Sequence, residues 1–297
     1  MHHHDHVSQT GEKTSGKLAV VFFLNLGFLC VEFVGGMLTN SVAILSDAVH
    51  DLGDTVSIGF AWIMEKYAVR GPTSRLTFGY RRFSLAGAIV SSTMLLVGSG
   101  FILYRAVSRL IHPESVHPRG MLWLAIMGIL INGIAVLRLR AGKKINERVI
   151  FVHLMEDVLG WAAVLVVSIV LLFYDLPILD PLLSIGITIF ILSKIIPNIR
   201  GTLKIFMQYS PADADVEEIA DMIRQYEFVA DVHDMHIWSL DGQVTVLSCH
   251  VRSRYELSLS EAFRKKQMIK KQLRQRGIDH ITMEIEPDSS ICDECFL

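Results

Sequence analysis

The sequence predicts an α-helical membrane protein with six transmembrane helices, followed by a smaller C-terminal α+β domain of order αββαβ. Three observations carry this. Over 297 residues, 51% are hydrophobic and 20% charged, with a mean hydropathy of +0.42. That is too apolar for a wholly water-soluble chain and too charged for one wholly in lipid. Six apolar segments, each near the ~20 residues that a spanning helix needs, fill the first two thirds. After Gln208-Tyr209-Ser210-Pro211 the pattern changes to short amphipathic helices and alternating strands. The domain plan is therefore a polar, His-rich tail over 1–17, a membrane domain over 18–208 and a soluble domain over 209–297.

Residues 1–16 lack the apolar core of a signal peptide. The spans are expected at 18–38, 42–64, 83–104, 120–139, 149–174 and 180–204. The first two are separated only by Leu38-Thr39-Asn40-Ser41, a tight helical hairpin. The 65–82 loop carries Lys66, Arg70, Arg75, Arg81 and Arg82, and the 138–148 loop carries Arg138, Arg140, Lys143, Lys144 and Arg148, whereas the loops at 39–41 and 174–180 carry no Lys or Arg. The loop after the third segment is less clean, with Arg105, Arg109 and Arg119 near its ends, and the majority of the loops places both termini in the cytoplasm of a multi-pass protein. Which membrane it occupies is open.

In the soluble part, Val216, Ile219, Ala220 and Ile223 repeat at helical spacing within 213–227. Strands are expected at 231–240 and 243–252 around Asp241-Gly242, a two-residue hairpin signal. A basic helix over 259–276 and a strand over 278–286 complete the order. With Asp241-Gly242 as the turn, His233 faces His250 across the hairpin, while His236 has the opposite parity and points to the other face. A bulge would break this register. Glu286 shares a strand face with His280, Thr282 and Glu284, opposite Ile281, Met283 and Ile285. The face on which the two histidines lie is not fixed by the pattern.

The candidate chemistry lies in two repeats of one spacing. His50 and Asp54 are four apart on the second segment, and His153 and Asp157 repeat this on the fifth, so each pair shares a helix face. Two imidazoles and two carboxylates form a tetrahedral set suited to Zn²⁺. Ionisable groups at membrane depth are costly and mark ion pathways. Asp47, one turn before His50, is expected to orient its imidazole. Asp51 is rotated about 100° away from His50 and is a poor co-ligand; Glu156 is three residues from His153 and stays a candidate. Asn25 and Glu32 share an inward face of the first segment, and Lys194 and Lys204 are expected to snorkel toward the inner boundary. The absence of HExxH excludes an intramembrane zinc protease, and no enzymatic motif is present. The net charge of −2 implies no nucleic-acid partner. Cys292 and Cys295 form a CxxC, half a zinc site in a reducing compartment. His2, His3, His4 and His6 could supply the other half.

These motifs resemble the cation diffusion facilitator family, zinc-transporter branch, over approximately 17–287. The resemblance rests on Val-Glu-Phe-Val-Gly-Gly (31–36), Ser-Val-Ala-Ile-Leu-Ser-Asp-Ala-Val-His-Asp-Leu-Gly-Asp (41–54), Thr-Phe-Gly-Tyr-Arg-Arg (77–82), His-Leu-Met-Glu-Asp-Val-Leu-Gly (153–160), Leu-Asp-Pro-Leu-Leu-Ser (179–184), Val-His-Asp-Met-His-Ile-Trp-Ser-Leu (232–240) and His-Ile-Thr-Met-Glu-Ile-Glu (280–286). It implies a homodimeric exporter of divalent metal from the cytoplasm, usually in exchange for protons, with a ferredoxin-like cytoplasmic domain. It assigns transport to His50, Asp54, His153 and Asp157, and a cytoplasmic site to His233, His250 and Glu286. Cys292, Cys295 and the histidines at 2–6 resemble a further site of vesicular members. Two departures stand out: the 138–148 loop lacks histidine, and position 51, usually uncharged, is aspartate. The alternative class is a non-transporting zinc sensor or inactive heterodimer partner, expected to lose part of the tetrad. All four residues are present.

Overall fold

A computed structural model describes residues 5–68, 72–139 and 145–288. Six long helices come first: α1 Asp5–Thr39, α2 Val42–Ala68, α3 Phe83–Ile111, α4 Pro118–Leu139, α5 Ile145–Phe173 and α6 Leu179–Phe206. They match the six expected segments in number and order, and α1 begins well before its first apolar stretch at Leu18. Among the described residues, five helices are long and apolar enough to cross a membrane. The exception is α2, because Asp47, His50, Asp51 and Asp54 interrupt its apolar run.

The chain divides into two units, residues 1–71 with 86–199 and residues 72–85 with 200–297. In the first, the expected hairpin between α1 and α2 has a specific cause. Asn40 adopts a left-handed conformation, φ 54°, after α1. Its N–H reaches the Met37 carbonyl and that of Ser41 reaches Gly36, closing the last turn. Ser41 then caps α2, its Oγ accepting from Ile44 N at 3.2 Å.

The remaining free amides of α2 are met by Asp180 at the start of α6, which accepts from Ser41 Oγ (2.5 Å), Val42 N (2.7 Å) and Ala43 N (3.3 Å). Arg109 of α3 bonds Asn40, pairs with Glu114 at 2.9 Å and approaches Asp180 at 4.0 Å. Further along, Ser46 and Thr188 share a hydrogen bond of 3.0 Å and Ser184 donates to the Val42 carbonyl. Polar side chains thus zip α2 to α6 where lipid offers no alternative partners.

Glycines let α2 and α3 approach: a Cβ at Gly53 would strike Leu95, and one at Gly98 would strike Val49. Behind α2, Ala43, Ile44, Met121, Ala125, Trp161 and Val164 form an apolar cluster of α2, α4 and α5.

The second unit contains α7 Val216–Arg224, β1 Val229–Ser239, β2 Thr245–Ser253, α8 Leu259–Gln275 and β3 His280–Glu286, in the expected order. Asp215 caps α7, and Ser258 with Glu261 forms a capping box on α8. β1 and β2 are antiparallel and β3 joins β2 in parallel, giving the order β1-β2-β3. Ile219, Ile223, Ile269 and Leu273 of the helices pack on Val232, Ile237, Leu247, Cys249, Val251 and Met283 of one sheet face. The opposite face is left free for chemistry. The 72–85 loop belongs to this unit: Arg81 pairs with Asp241 at 3.3 Å and Phe78 stacks edge-on against His280.

The hairpin turn differs from the expected one. Leu240 N bonds the Val244 carbonyl, Ser239 faces Thr245, and only Gly242 has positive φ (87°). The loop is therefore three residues long, closed by Asp241 Oδ1 accepting from Gln243 N and Val244 N, each at 2.9 Å. This moves the register by one residue. A bulge at Asp234–Met235 moves it back, so that His233 does face His250.

Asp180 is wholly buried and meets three donors at once. Asp180→Ala should lower the unfolding temperature of the purified protein in detergent, at a cost of about 2 kcal/mol or more. Thermal scanning of the variant against wild type checks this.

Candidate metal centres

The first centre lies between α2 and α5. α2 presents His50 and Asp54 one turn apart, and α5 presents His153 and Asp157 likewise, so the structure brings all four together. Asp54 Oδ2 lies 3.1 Å from His153 Nε2 and 3.8 Å from His50 Nε2. Asp157 lies 4.0 Å from His50 Nε2 and 3.9 Å from His153 Nε2. The imidazole rings are 5.7 Å apart, centre to centre. Donors bonded tetrahedrally to Zn²⁺ at 2.0–2.2 Å sit about 3.3–3.6 Å from one another. His50, Asp54 and His153 each offer a donor within 4.8 Å of the others, so these three fit a zinc-sized divalent cation, and Asp157, whose two oxygens each approach a different histidine, joins them by a turn of its side chain.

The surroundings of the tetrad differ from expectation in two places. Asp47 does not orient His50: His50 Nδ1 is buried without a hydrogen-bond partner among the described residues. Asp47 instead stands with Asp51 near Glu32 of α1, where the Glu32 and Asp51 carboxyls approach as hydrogen-bond partners. Asp47 lies about 60° round the helix from His50, and its Oδ1 is turned toward Gly160 of α5, where an added Cβ would stand 3.8 Å away, rather than toward the Nδ1 edge of the ring. Asp51, as expected, stays out of the tetrad.

Glu156 is taken by Lys194 of α6, an ion pair absent from the sequence reading, which had Lys194 snorkelling. Lys194 also lies over the Phe190 ring at 4.3 Å. Lys194 and Glu156, with Asp47, His50 and Asp157, line an otherwise apolar cavity of about 490 Å³.

The second centre lies on the free face of the sheet. His250 Nδ1 is 2.7 Å from Glu286 Oε1, and His233 Nε2 is 3.3 Å from Glu286 Oε2. The two rings are 5.6 Å apart. His233, His250 and Glu286 offer donors that all lie within 4.8 Å of one another. The parallel ladder puts His250 beside Glu284 and Arg252 beside Glu286, which places Glu286 on the histidines' face. His233 Nε2 is buried and makes no hydrogen bond that would compete for it. The donor set therefore fits a divalent cation such as Zn²⁺.

The expectation for His236 is overturned. The bulge pairs His236 with Ser248, two residues from His250, so His236 shares the face of His233 instead of opposing it. Its Nε2 bonds Asp234 Oδ1 at 2.9 Å. Cys249 points into the core, on the sheet face opposite the histidines, where burial pushes its thiol up to about 12. His2, His3, His4, Cys292 and Cys295 lie outside the described residues, as does the side chain of His6.

A helical membrane domain with a four-donor centre, followed by a small mixed sheet with a three-donor centre, defines a membrane protein that handles divalent metal. Comparison with known proteins agrees. Residues 18–207 match the cation efflux transmembrane domain and residues 211–288 the cation efflux protein cytoplasmic domain. The chain belongs to the cation efflux, or cation diffusion facilitator, family. It is 32% identical to the cadmium, cobalt and zinc/H(+)-K(+) antiporter of Bacillus velezensis, covering 96% of this chain and 91% of that protein. It is 31% identical to the protein of the same name in Bacillus subtilis, over 99% and 95%. With the zinc transporter ZitB of Escherichia coli it shares 30% identity over 84% of this chain and 82% of that one.

The Lys194 pair separates the two adjacent carboxylates of α5. In purified protein, Asp157→Asn should remove one bound Zn²⁺ at equilibrium, while Glu156→Gln should leave the number unchanged. Equilibrium dialysis with metal analysis distinguishes these results.

Proposed function

We propose that this protein exports divalent metal from the cytoplasm, with Zn²⁺ as principal cargo, in exchange for protons. The observation that carries the reading is the meeting of His50, Asp54, His153 and Asp157 between two helices. The names of the relatives, which include zinc and proton antiport, support it. In this reading α2 is the sixth span, its carboxylates tolerated because they face the protein interior rather than lipid. The basic loops put both termini in the cytoplasm, and the αββαβ unit is a ferredoxin-like domain through which two copies of the chain form a homodimer. Zn²⁺ at His233, His250 and Glu286, and at Cys292 and Cys295 with the N-terminal histidines, regulates transport without crossing the membrane.

The tetrad's chemistry explains the exchange. Neutral imidazoles and ionised carboxylates bind Zn²⁺, and protonated imidazoles do not. Histidine titrates near neutrality, so a centre opened to a proton-rich compartment exchanges metal for protons. A helix-borne set alternately exposed to the two sides performs antiport, because metal and protons compete for the same lone pairs.

Metal uptake by proteoliposomes under an imposed pH gradient tests the reading. His50→Ala and Asp157→Ala should each abolish Zn²⁺ transport while leaving the protein folded. Transport near the wild-type rate by either variant overturns the site assignment. Ligand hardness gives a second expectation. His50→Asp replaces a borderline nitrogen donor with oxygen and should lower the ratio of Zn²⁺ to Mn²⁺ transport. An unchanged or higher ratio means that these donors do not set selectivity.

A further inference from the structure

The cytoplasmic triad has a feature that the transport tetrad lacks at His50. Each imidazole has two nitrogens, and in each ring one nitrogen turns toward Glu286 while the other faces an aspartate. Behind His233, whose Nε2 faces Glu286, Nδ1 lies 3.5 Å from Asp231 Oδ2. Behind His250, whose Nδ1 faces Glu286, Nε2 lies 3.8 Å from Asp234 Oδ2. A ligating histidine characteristically presents its remaining N–H to a carboxylate, which fixes the tautomer, orients the ring and makes the ligating nitrogen a better donor.

We propose that Asp234, and to a lesser degree Asp231, are positioning residues that raise the affinity of the His233/His250/Glu286 centre for Zn²⁺. The inference rests on that triad being a metal centre.

Three further observations point to Asp234. It is the first residue of the β-bulge and takes φ 46°, in the left-handed region that aspartate enters more readily than most non-glycine residues. Its side chain is 16% exposed, and its second oxygen is held from the other side by His236 Nε2 at 2.9 Å. The same bulge restores the register that puts His233 opposite His250. One irregularity in β1 therefore pairs the ligands and aims a carboxylate at the back of one of them. Glu284 also approaches His250 Nε2, at 4.0 Å, but is 69% exposed. Solvent screening and side-chain freedom make it the weaker partner. Asp231 is 40% exposed and shares Oδ2 with Arg252 at 3.9 Å, so its effect is the smaller of the two.

The test uses the full-length protein in detergent, carrying Asp54→Ala and Asp157→Ala so that the transport centre does not contribute. Zn²⁺ is titrated in competition with a chromophoric chelator. His250→Ala identifies the triad by removing one class of bound zinc. Asp234→Gly keeps the left-handed backbone and deletes the carboxylate. It should retain the number of zinc ions and weaken that class by about 10- to 100-fold. Asp234→Asn keeps a neutral acceptor and should fall between Gly and wild type. Asp231→Asn should weaken the same class less than Asp234→Gly does. Affinity within about twofold of wild type for Asp234→Gly overturns the proposal. So does the loss of a whole zinc equivalent in Asp234→Gly, which would make Asp234 a ligand. If His250→Ala removes no zinc, the triad itself is not a metal centre. That result refutes the underlying reading and is separable from the other two.

Discussion

The burial of the α2 N-terminus against Asp180 is the constraint on which the membrane domain depends. A helix begins with four amides that have no partner within it, and inside a bilayer water cannot supply them. Here Asp180 and Ser41 satisfy three in succession, at Val42, Ala43 and Ile44. The carboxylate also meets the positive end of the helix dipole. Fixing the start of α2 fixes its rotation, and rotation decides which residues face α5. With 3.6 residues per turn, His50 and Asp54 lie about 40° apart on the face turned to α5, while Asp51 is about 100° from His50. A helix free to turn by one residue, about 100°, would present the wrong carboxylates.

The two centres use similar donors in different settings. In the membrane, His50 Nδ1 is buried and unbonded among the described residues, while Nε2 faces both aspartates. On the sheet, both histidines have a carboxylate behind them. A histidine with an anionic partner at its back nitrogen is a stronger and more rigid ligand. The contrast lies in aim rather than supply: Asp47, Asp51 and Glu32 stand near the membrane tetrad, yet none of them bonds His50 Nδ1.

The second unit joins the α2–α3 loop to the sheet through Arg81 with Asp241 and Phe78 with His280. Asp241 closes the hairpin that carries His233 and His250, and His280 opens the strand that ends at Glu286. The hairpin and the strand that supply the His233, His250 and Glu286 triad therefore both touch the 72–85 loop.

Much was legible in the chain because the physics is periodic. Apolar length marks spanning helices, an i, i+4 spacing puts His50 with Asp54 and His153 with Asp157, and alternation marks the strands. What sequence left open was what depends on distant partners. Asp180 was visible only as part of a motif, since nothing local says which helix it will cap. Lys194 pairs with Glu156 only because the fold brings that point of α6 within reach of α5. The role expected of Asp47 failed because an imidazole has two edges and spacing does not say which one a neighbour approaches. The hairpin is the clearest instance. His233 opposite His250 was the correct pairing, reached through a two-residue turn that the structure does not contain. A three-residue loop and a bulge at Asp234 offset each other, and the same bulge carried His236 to the face it was expected to leave. Strand parity follows from sequence only while the ladder is regular; where a residue is inserted, hydrogen bonding between strands decides.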